Sequence, residues 1–152
     1  MPDILEQSAC DLARQIASRR LSAAELMAAT LDRIEALNPR HNAIVALRRR
    51  EALMAEARAA DEAGARGPLH GLPIAVKDLE DVAGLPTSKG SPLLAGAVAA
   101  ADSLMVSRLR AAGAILTAKT TTCESGYKLT ADSPVSGVTR NPWRLDRTSG
   151  GS

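Results

Sequence analysis

Apolar residues in the first third of the chain recur at three- and four-residue steps, the spacing that places side chains on one face of a helix. Ser8 can cap a first helix, whose apolar stripe would contain Leu5, Ala9, Leu12 and Ile16. A second helix is predicted from the capping box Ser22-Ala23-Ala24-Glu25 to Asn38-Pro39, because proline disfavours helical geometry in the residue before it. A third helix is predicted near residues 49–63 and ends at Gly64.

From Gly67-Pro68 onward the apolar runs shorten to strand length and are separated by turn residues. Leu72–Val76 and Ala114–Ala118 are predicted to be buried strands. Between them we predict a helix that is capped by Asp102 and closed by Gly113. Its apolar face would contain Met105, Leu109 and Ala112. Strand, helix and strand in this order predict a right-handed crossover between parallel strands, and therefore an α/β layer.

The segment after the second strand carries a weaker helix signal. Thr121 can act as a cap with Glu124 at the third helical position, so a short helix is predicted there. Capping is favoured over catalysis as the role of Glu124. Residues 126–152 show no sustained period, and loops of this length in compact domains tend to be functional.

Composition and charge argue against direct nucleic-acid binding. Nineteen basic and seventeen acidic residues leave a formal charge of +2, too small for the electrostatic footprint of a nucleic-acid binder. The Arg48-Arg49-Arg50 run lacks interleaved aromatic residues, since the only aromatic side chains of the chain are Tyr127 and Trp143. We therefore interpret this run as a solvated helix start.

The two cysteines and the absence of long apolar runs indicate the cellular setting. Cys10 and Cys123 match no metal or redox spacing, which predicts two free thiols in a reducing compartment. The chain has neither a secretory leader pattern nor eighteen consecutive apolar residues. A cytoplasmic protein that does not enter a membrane is expected.

Lys77 is the first candidate for chemistry, because it stands immediately after an apolar strand. Such a cation must either reach water or be desolvated, and a desolvated amine that is neutral can act as a general base. The alternative is a structural lysine paired with a nearby carboxylate. The available carboxylates are those of Asp78, Glu80 and Asp81.

The second candidate is the segment Thr148-Ser149-Gly150-Gly151-Ser152. Paired glycines beside serines allow backbone N–H groups to approach a substrate closely, as an oxyanion site requires. Gly-Gly-Ser is also typical of a flexible linker or a cloning scar. His41 and His70 have no recognisable nucleophile motif near them, and His70 is expected to be a structural turn residue.

Several motifs follow one another in a recognisable order. They are Gly67–Asp78 (GPLHGLPIAVKD), Gly84–Thr87, Arg108–Ile115, Lys119-Thr120, Asn141–Trp143 and Gly150–Ser152. In this order, and over nearly the whole chain, they resemble the amidase signature family. The resemblance implies the N-terminal part of an α/β/α fold with a mixed central sheet covered by helices. Residues 1–152 would form the N-terminal portion of one amidase domain, helical over 1–66 and α/β over 67–152.

The resemblance also implies a catalytic triad of a lysine, a bridging serine and a nucleophilic serine. Lys77 matches the lysine, and Ser152 matches the bridging serine, which follows a cis peptide bond in that family. We therefore expect Lys77 and Ser152 to lie within hydrogen-bond reach, so that Ser152 can relay a proton. Gly126 and Tyr127 match the segment that lines the acyl pocket, although Tyr127 could equally be a packed ring.

The implied reaction is hydrolysis of a carboxylic amide to an acid plus ammonia or an amine, through an acyl-enzyme. It needs no metal or organic cofactor. The nucleophile would lie beyond residue 152, so these 152 residues alone are expected to be inactive. The expected partners are a small-molecule amide substrate and either a second copy of the chain or the missing C-terminal portion.

Two alternatives accompany this reading. The first, within the same family, is the glutaminase-like A subunit of a tRNA-dependent amidotransferase. The second is a non-catalytic interaction fragment whose helices bind another chain. In that case Lys77 would be exposed and ion-paired, and Ser152 would lie far from it after a trans peptide bond.

Overall fold

The computed structural model describes residues 3–151 as helices that pack on a small mixed sheet. Short 3₁₀ turns occupy Ile4–Glu6, Pro92–Leu94 and Glu124–Gly126. The helices are α1 (Ala9–Ala17), α2 (Ala23–His41), α3 (Arg50–Ala63) and α4 (Leu104–Ala111). The strands are β1 (Ile44–Leu47), β2 (Pro73–Lys77), β3 (Ile115–Thr120), β4 (Asp132–Ser133) and β5 (Gly137–Val138).

The starts of α1 and α2 are confirmed. The Ser8 hydroxyl accepts the backbone N–H of Asp11 (3.1 Å). At α2 both halves of the predicted capping box form, because Ser22 accepts the N–H of Glu25 and the Glu25 carboxylate accepts the N–H of Ser22. Local hydrogen bonds between residues three apart therefore decide where these helices begin.

The predicted end of α2 at Asn38-Pro39 is wrong, because the helix continues through Pro39 to His41. Proline removes one helical N–H, yet the Asn42 N–H still donates to the Asn38 carbonyl (2.7 Å), so the last turn closes around it. Asn42 then adopts a left-handed conformation with φ of 54° and ends the helix. The Asn38 side chain accepts the next two backbone N–H groups and directs the chain into β1.

Helix α3 packs along α2, and it ends at Gly64 as predicted. The residues buried between α2, α3 and β3 are Ala23, Met27, Leu31, Leu53, Ala57 and Ile115. The prediction of a solvated arginine run at the start of α3 is only partly right. Arg49 is exposed, but Arg50 pairs with Asp32 and Glu35, and Arg48 pairs with Glu56 while it donates to the Leu116 carbonyl (2.7 Å).

Within the described residues, the main sheet has the order β1-β3-β2. Strands β2 and β3 are parallel, which confirms the strand–helix–strand prediction, and β1 runs antiparallel to β3. Strand β3 is the central strand, and its residues are buried from Ile115 to Lys119. The helical first third thus contributes a strand, β1, to the same mixed sheet.

Helix α4 begins one residue later than predicted. Its cap is Ser103, which accepts the Val106 N–H, and not Asp102. Asp102 instead accepts the Ala83 N–H (2.7 Å) and an Arg110 N–H (2.7 Å), so it joins the loop after β2 to α4. The buried face of α4 contains Val106, whereas Met105, which was predicted to share that face, is exposed.

The short helix predicted from Thr121 is also wrong. Only one 3₁₀ turn forms, at Glu124–Gly126, and its cap position is Cys123. Ser125 has a φ of 52°, which lies outside helical geometry and prevents a longer helix. The Thr121 hydroxyl bonds the Thr139 hydroxyl instead of capping a helix, and Glu124 is exposed.

A buried ion pair joins the carboxyl ends of β2 and β3 to the loop that follows β2. The ammonium of Lys119 is fully buried and lies 3.0 Å from the Asp78 carboxylate. It also donates to the Thr87 hydroxyl (2.9 Å) and the Pro86 carbonyl (3.3 Å). The second Asp78 oxygen accepts the N–H (3.2 Å) and the hydroxyl (2.5 Å) of Ser88. Each charge is therefore paired and hydrogen-bonded, which buried charges require.

Replacing Lys119 by Met should lower the free energy of unfolding by about 3–5 kcal/mol, because the substitution leaves the Asp78 carboxylate buried without its cation. Urea denaturation measures this loss. The double variant Asp78→Asn with Lys119→Met has no uncompensated charge and should be more stable than the single Lys119→Met variant. A single variant within about 1 kcal/mol of the wild type would contradict the role given to the pair.

Asp102 should contribute a pH-dependent part of the stability. The hydrogen bond from the Ala83 N–H, followed by the contacts with Arg110, lowers the pKa of Asp102 below its ordinary value. The folded state therefore favours the carboxylate, and its contribution is present at neutral pH and lost as the pH falls below about 4. Melting temperatures of Asp102→Asn and the wild type should differ at about pH 7 and converge in acid. A difference that stays constant from neutral pH into acid would contradict this.

Candidate active site

A cleft of about 370 Å³ lies at the carboxyl ends of the parallel strands β2 and β3. Its lining residues are Ala43, Lys77, Thr120, Thr121, Thr122, Cys123, Thr130, Ala131, Ser149, Gly150 and Gly151. The carboxyl ends of strands are where α/β sheets ordinarily bind ligands. Lys77 and the paired glycines, two candidates that are far apart in the sequence, therefore line one cleft.

A second cavity, of about 460 Å³ and thus larger than this cleft, lies between the α1–α2 connection and the end of α3. Its carboxylates are those of Glu25 and Asp61. Both already accept backbone N–H groups at the start of α2, Glu25 from Ser22 and Asp61 from Ala23 and Ala24. These groups complete a helix cap, so the cleft that contains Lys77 is the better candidate for chemistry.

Strand alternation turns Lys77 and Asp78 to opposite sides of the sheet. Lys77 is the last residue of β2, is half-buried, lies opposite Thr120 of β3 and lines the cleft. The Asp78 carboxylate is buried and engaged by Lys119 and Ser88. The next residue with a long acidic side chain, Glu80, accepts the Ser103 hydroxyl (2.7 Å).

The structural alternative for Lys77 is therefore wrong. Among residues 3–151, no carboxylate oxygen lies within 4.0 Å of its ammonium, so it has no ion pair with Asp78, Glu80 or Asp81. The alternative of a non-catalytic interaction fragment predicted an exposed, ion-paired Lys77. Lys77 is half-buried, and no carboxylate among residues 3–151 pairs with it.

Hydrogen bonds attach the opposite wall of the cleft to the rest of the molecule. The Ser149 N–H donates to the Thr139 carbonyl (2.9 Å), and the Thr148 hydroxyl accepts the Ala131 N–H (3.1 Å). Gly150 and Gly151 have φ values of 72° and 123°, a region that favours glycine. Residues 148–151 thus differ from the flexible linker that their composition also allows.

Ser152 lies outside the described residues. The predicted approach of the Ser152 hydroxyl to Lys77, and the cis bond expected before Ser152, lie outside them as well. Both stay predictions, and the geometry of Ser149, Gly150 and Gly151 is what the structure describes of this segment.

Gly126 and Tyr127 follow Cys123, which itself lines the cleft. Gly126 has a φ of 71°, and a Cβ atom there would lie 3.0 Å from a methyl group of Leu79, so the turn passes close to the core. The Tyr127 ring is 94% exposed, and the alternative of a packed ring is therefore wrong. The next residue, Lys128, has its pKa raised mainly by the hydrogen bond it donates to Asp132. The substrate-binding role of Gly126 and Tyr127 stays a prediction.

No sequence signal marks Cys123 as part of the cleft. Its thiol is buried, accepts the Lys128 N–H (3.3 Å) and donates to the Lys128 carbonyl (3.1 Å), which closes the turn containing Gly126 and Tyr127. Both Cys123 and Cys10 are free, as predicted. The bonds between Cys123 and Lys128 span five residues of a non-helical turn, and no sequence pattern predicts such a contact.

The remaining sequence candidates fall outside the cleft. His70 contacts the Ala60 carbonyl through Nε2 (3.0 Å) and lies in the turn before β2, which confirms its structural role. Residues 3–151 hold no cluster of three or more His, Cys, Asp or Glu side chains suited to a metal ion. In the same range, no helix combines the length and apolar character that crossing a bilayer requires.

Curated relatives match almost the whole chain. The acylamidase of Rhodococcus erythropolis is 43% identical over 148 residues, which cover 95% of this chain and 31% of the relative. The A subunit of the glutamyl-tRNA(Gln) amidotransferase of Acidothermus cellulolyticus is 40% identical over 156 residues, covering all of this chain and 31% of the relative. The chain thus spans about a third of the length of these proteins.

Solved structures agree with the sequence relatives. The native peptide amidase of Stenotrophomonas maltophilia superposes on 99% of this chain with a TM-score of 0.87 and 34% identity, and the match covers 33% of that enzyme. The family described as Amidase matches residues 25–152. The mixed α/β fold, the order of the motifs and these matches agree, and the chain belongs to the amidase signature family.

Proposed function

We propose that this chain forms the lysine-bearing part of an enzyme that hydrolyses a small-molecule carboxylic amide. One observation carries the proposal: Lys77 and the Ser149–Gly151 loop line the same cleft, and no carboxylate among residues 3–151 pairs with the Lys77 ammonium. With no such pair among the described residues, the Lys77 nitrogen is available to a hydroxyl group in the cleft. Lys77 is therefore placed to act as a general base.

In the proposed chemistry a proton moves from the nucleophilic serine through Ser152 to Lys77 and later returns to the leaving group. Acting as the general base, Lys77 takes a proton from the Ser152 hydroxyl, which takes one from the nucleophilic serine as that oxygen attacks the amide carbonyl. Backbone N–H groups near Gly150 and Gly151 would stabilise the oxyanion. The proton returns to the leaving nitrogen as the C–N bond breaks, and water then hydrolyses the acyl-enzyme by the same relay.

In this proposal the nucleophilic serine belongs to polypeptide beyond residue 152, and residues 1–152 are the N-terminal portion of a single domain. The support is the family's triad together with the length of the relatives, of which this chain matches about a third. Here the term completed enzyme means residues 1–152 together with the polypeptide that supplies the nucleophile. Gly126 and Tyr127 would border the acyl group of the substrate.

A glutaminase-like A subunit is the second candidate function. Its support is the 40% identity to the A subunit of a glutamyl-tRNA(Gln) amidotransferase, close to the 43% identity to an acylamidase. The two candidates share the lysine and serine chemistry and differ in the amide that is cleaved. Release of ammonia from glutamine, compared with release from simple aliphatic and aryl amides, distinguishes them.

Replacing Lys77 by Met in the completed enzyme should lower kcat/KM for amide hydrolysis by about 10²-fold or more, because the general base is removed. Ammonia release or amine release measures the loss. Lys89→Met is the matched control, since Lys89 is an exposed lysine of the neighbouring loop outside the cleft and should keep wild-type turnover. Wild-type turnover in Lys77→Met would refute the assignment of the base.

A serine-directed fluorophosphonate should distinguish the bridging serine from the nucleophile. We expect peptide mapping by mass spectrometry to find no adduct on the isolated 152-residue chain, because Ser152 transfers a proton and does not attack the substrate. In the completed enzyme the adduct should lie on a serine beyond residue 152. An adduct on Ser152 itself would overturn this division of roles.

A further inference from the structure

One buried residue behind the cleft is hydrogen-bonded to three of the residues that line it. Thr139 is only 7% exposed and follows β5. Its N–H donates to the Ala131 carbonyl (2.7 Å), and its carbonyl accepts the Ser149 N–H (2.9 Å). Its hydroxyl donates to the Asn42 carbonyl (2.8 Å) and bonds the Thr121 hydroxyl (2.6 Å). Ala131, Ser149 and Thr121 all line the cleft, whereas Thr139 does not.

The chemistry of the hydroxyl fixes the direction of these bonds. A threonine hydroxyl has a single hydrogen to donate, and Thr139 gives it to the carbonyl of Asn42. The Thr121 hydroxyl must therefore be the donor in the bond between the two threonines. Both hydrogens are used within the protein, so Thr139 supports the cleft and has no hydrogen left for a substrate.

These bonds connect the wall that contains Lys77 to the wall that contains the paired glycines. Thr121 directly follows Thr120, the β3 residue paired with Lys77. The Thr121 N–H also donates to the carbonyl of Ala43 (2.9 Å), beside the Asn42 carbonyl that Thr139 uses. On the other side, the Thr139 carbonyl holds the Ser149 N–H. A short hydrogen-bonded path from β3, beside Lys77, to the loop therefore passes through Thr139.

We propose that Thr139 is a positioning residue of the amidase site, whose hydroxyl sets the separation between Lys77 and the Ser149–Gly151 loop. This inference rests on the proposed function, because it assigns Thr139 a role in aligning the base with the loop that leads to Ser152. Displacement of catalytic groups by about 1 Å can lower turnover by about 10²-fold, and a support of this kind therefore affects rate more than binding.

The first test compares Thr139→Val with Thr139→Ser in the completed enzyme. Valine keeps the branched shape and the backbone bonds but removes the hydroxyl, so kcat should fall by about 10- to 100-fold while KM changes by less than about threefold. Serine keeps the hydroxyl and should return kcat to within about threefold of the wild type. If Thr139→Val does not fold, Thr139→Cys, whose thiol is a weak donor, should show an intermediate loss of kcat.

Thr117→Val is the matched control for the loss of a buried hydroxyl. Thr117 is 2% exposed and donates to the Ile74 carbonyl (3.1 Å) in the same sheet, but it does not line the cleft. Both valine variants lose a buried hydroxyl bond, whereas only Thr139→Val should lose kcat. Equal kcat in Thr139→Val, Thr117→Val and the wild type would overturn the inference.

A second readout does not depend on turnover. Hydrogen exchange of the Ser149 amide, measured by NMR in the 152-residue chain, should accelerate by about fivefold or more in Thr139→Val, because the residue whose carbonyl binds this amide loses both of its side-chain hydrogen bonds. Thr139→Ser and Thr117→Val should leave it unchanged, and unchanged exchange in Thr139→Val would also overturn the inference. Failure of the proposed function looks different: the wild type would cleave no amide, or Lys77→Met would remain active.

Discussion

The buried ion pair between Lys119 and Asp78 is the interaction on which the arrangement of the site depends. Two charges withdrawn from water are stable only when they are paired and hydrogen-bonded, and here the partners come from three separate segments. The pair joins adjacent parallel strands at their carboxyl ends and attaches the loop containing Thr87 and Ser88 to them. Lys119 engages Asp78, whereas the neighbouring Lys77 lines the cleft and pairs with no carboxylate among residues 3–151.

Opposite sides of the cleft are supported in different ways. On the side of β2, strand alternation separates a buried structural carboxylate, Asp78, from the candidate base, Lys77. On the side of the paired glycines, irregular backbone is held by two hydrogen bonds, which the Thr139 carbonyl and the Thr148 hydroxyl accept. The proposed amidase site would combine the end of a strand with a loop whose glycines allow close approach of backbone N–H groups to a carbonyl.

The accuracy of the sequence-based predictions depends on the range of the interaction that decides each feature. Ser8, the Ser22–Glu25 capping box and Gly64 act through neighbours within one helical turn, and their predicted positions are confirmed. Asp102 and Ser103 are adjacent residues that both cap helices well. Contacts of Asp102 with Ala83 and Arg110 assign the cap to Ser103, and no local pattern contains those contacts.

The sequence by itself determined the parallel β2–β3 unit, the membership of the amidase signature family and the choice of Lys77 as a candidate base. Short-range periodicity, turn residues and the order of motifs are sufficient for these conclusions. Only the tertiary structure decided that Lys119 pairs with Asp78, that Arg48 binds the Leu116 carbonyl, and that Thr139 bonds three walls of the cleft. Those contacts join residues up to 97 positions apart, and strand register and loop path, which depend on the whole fold, bring them together.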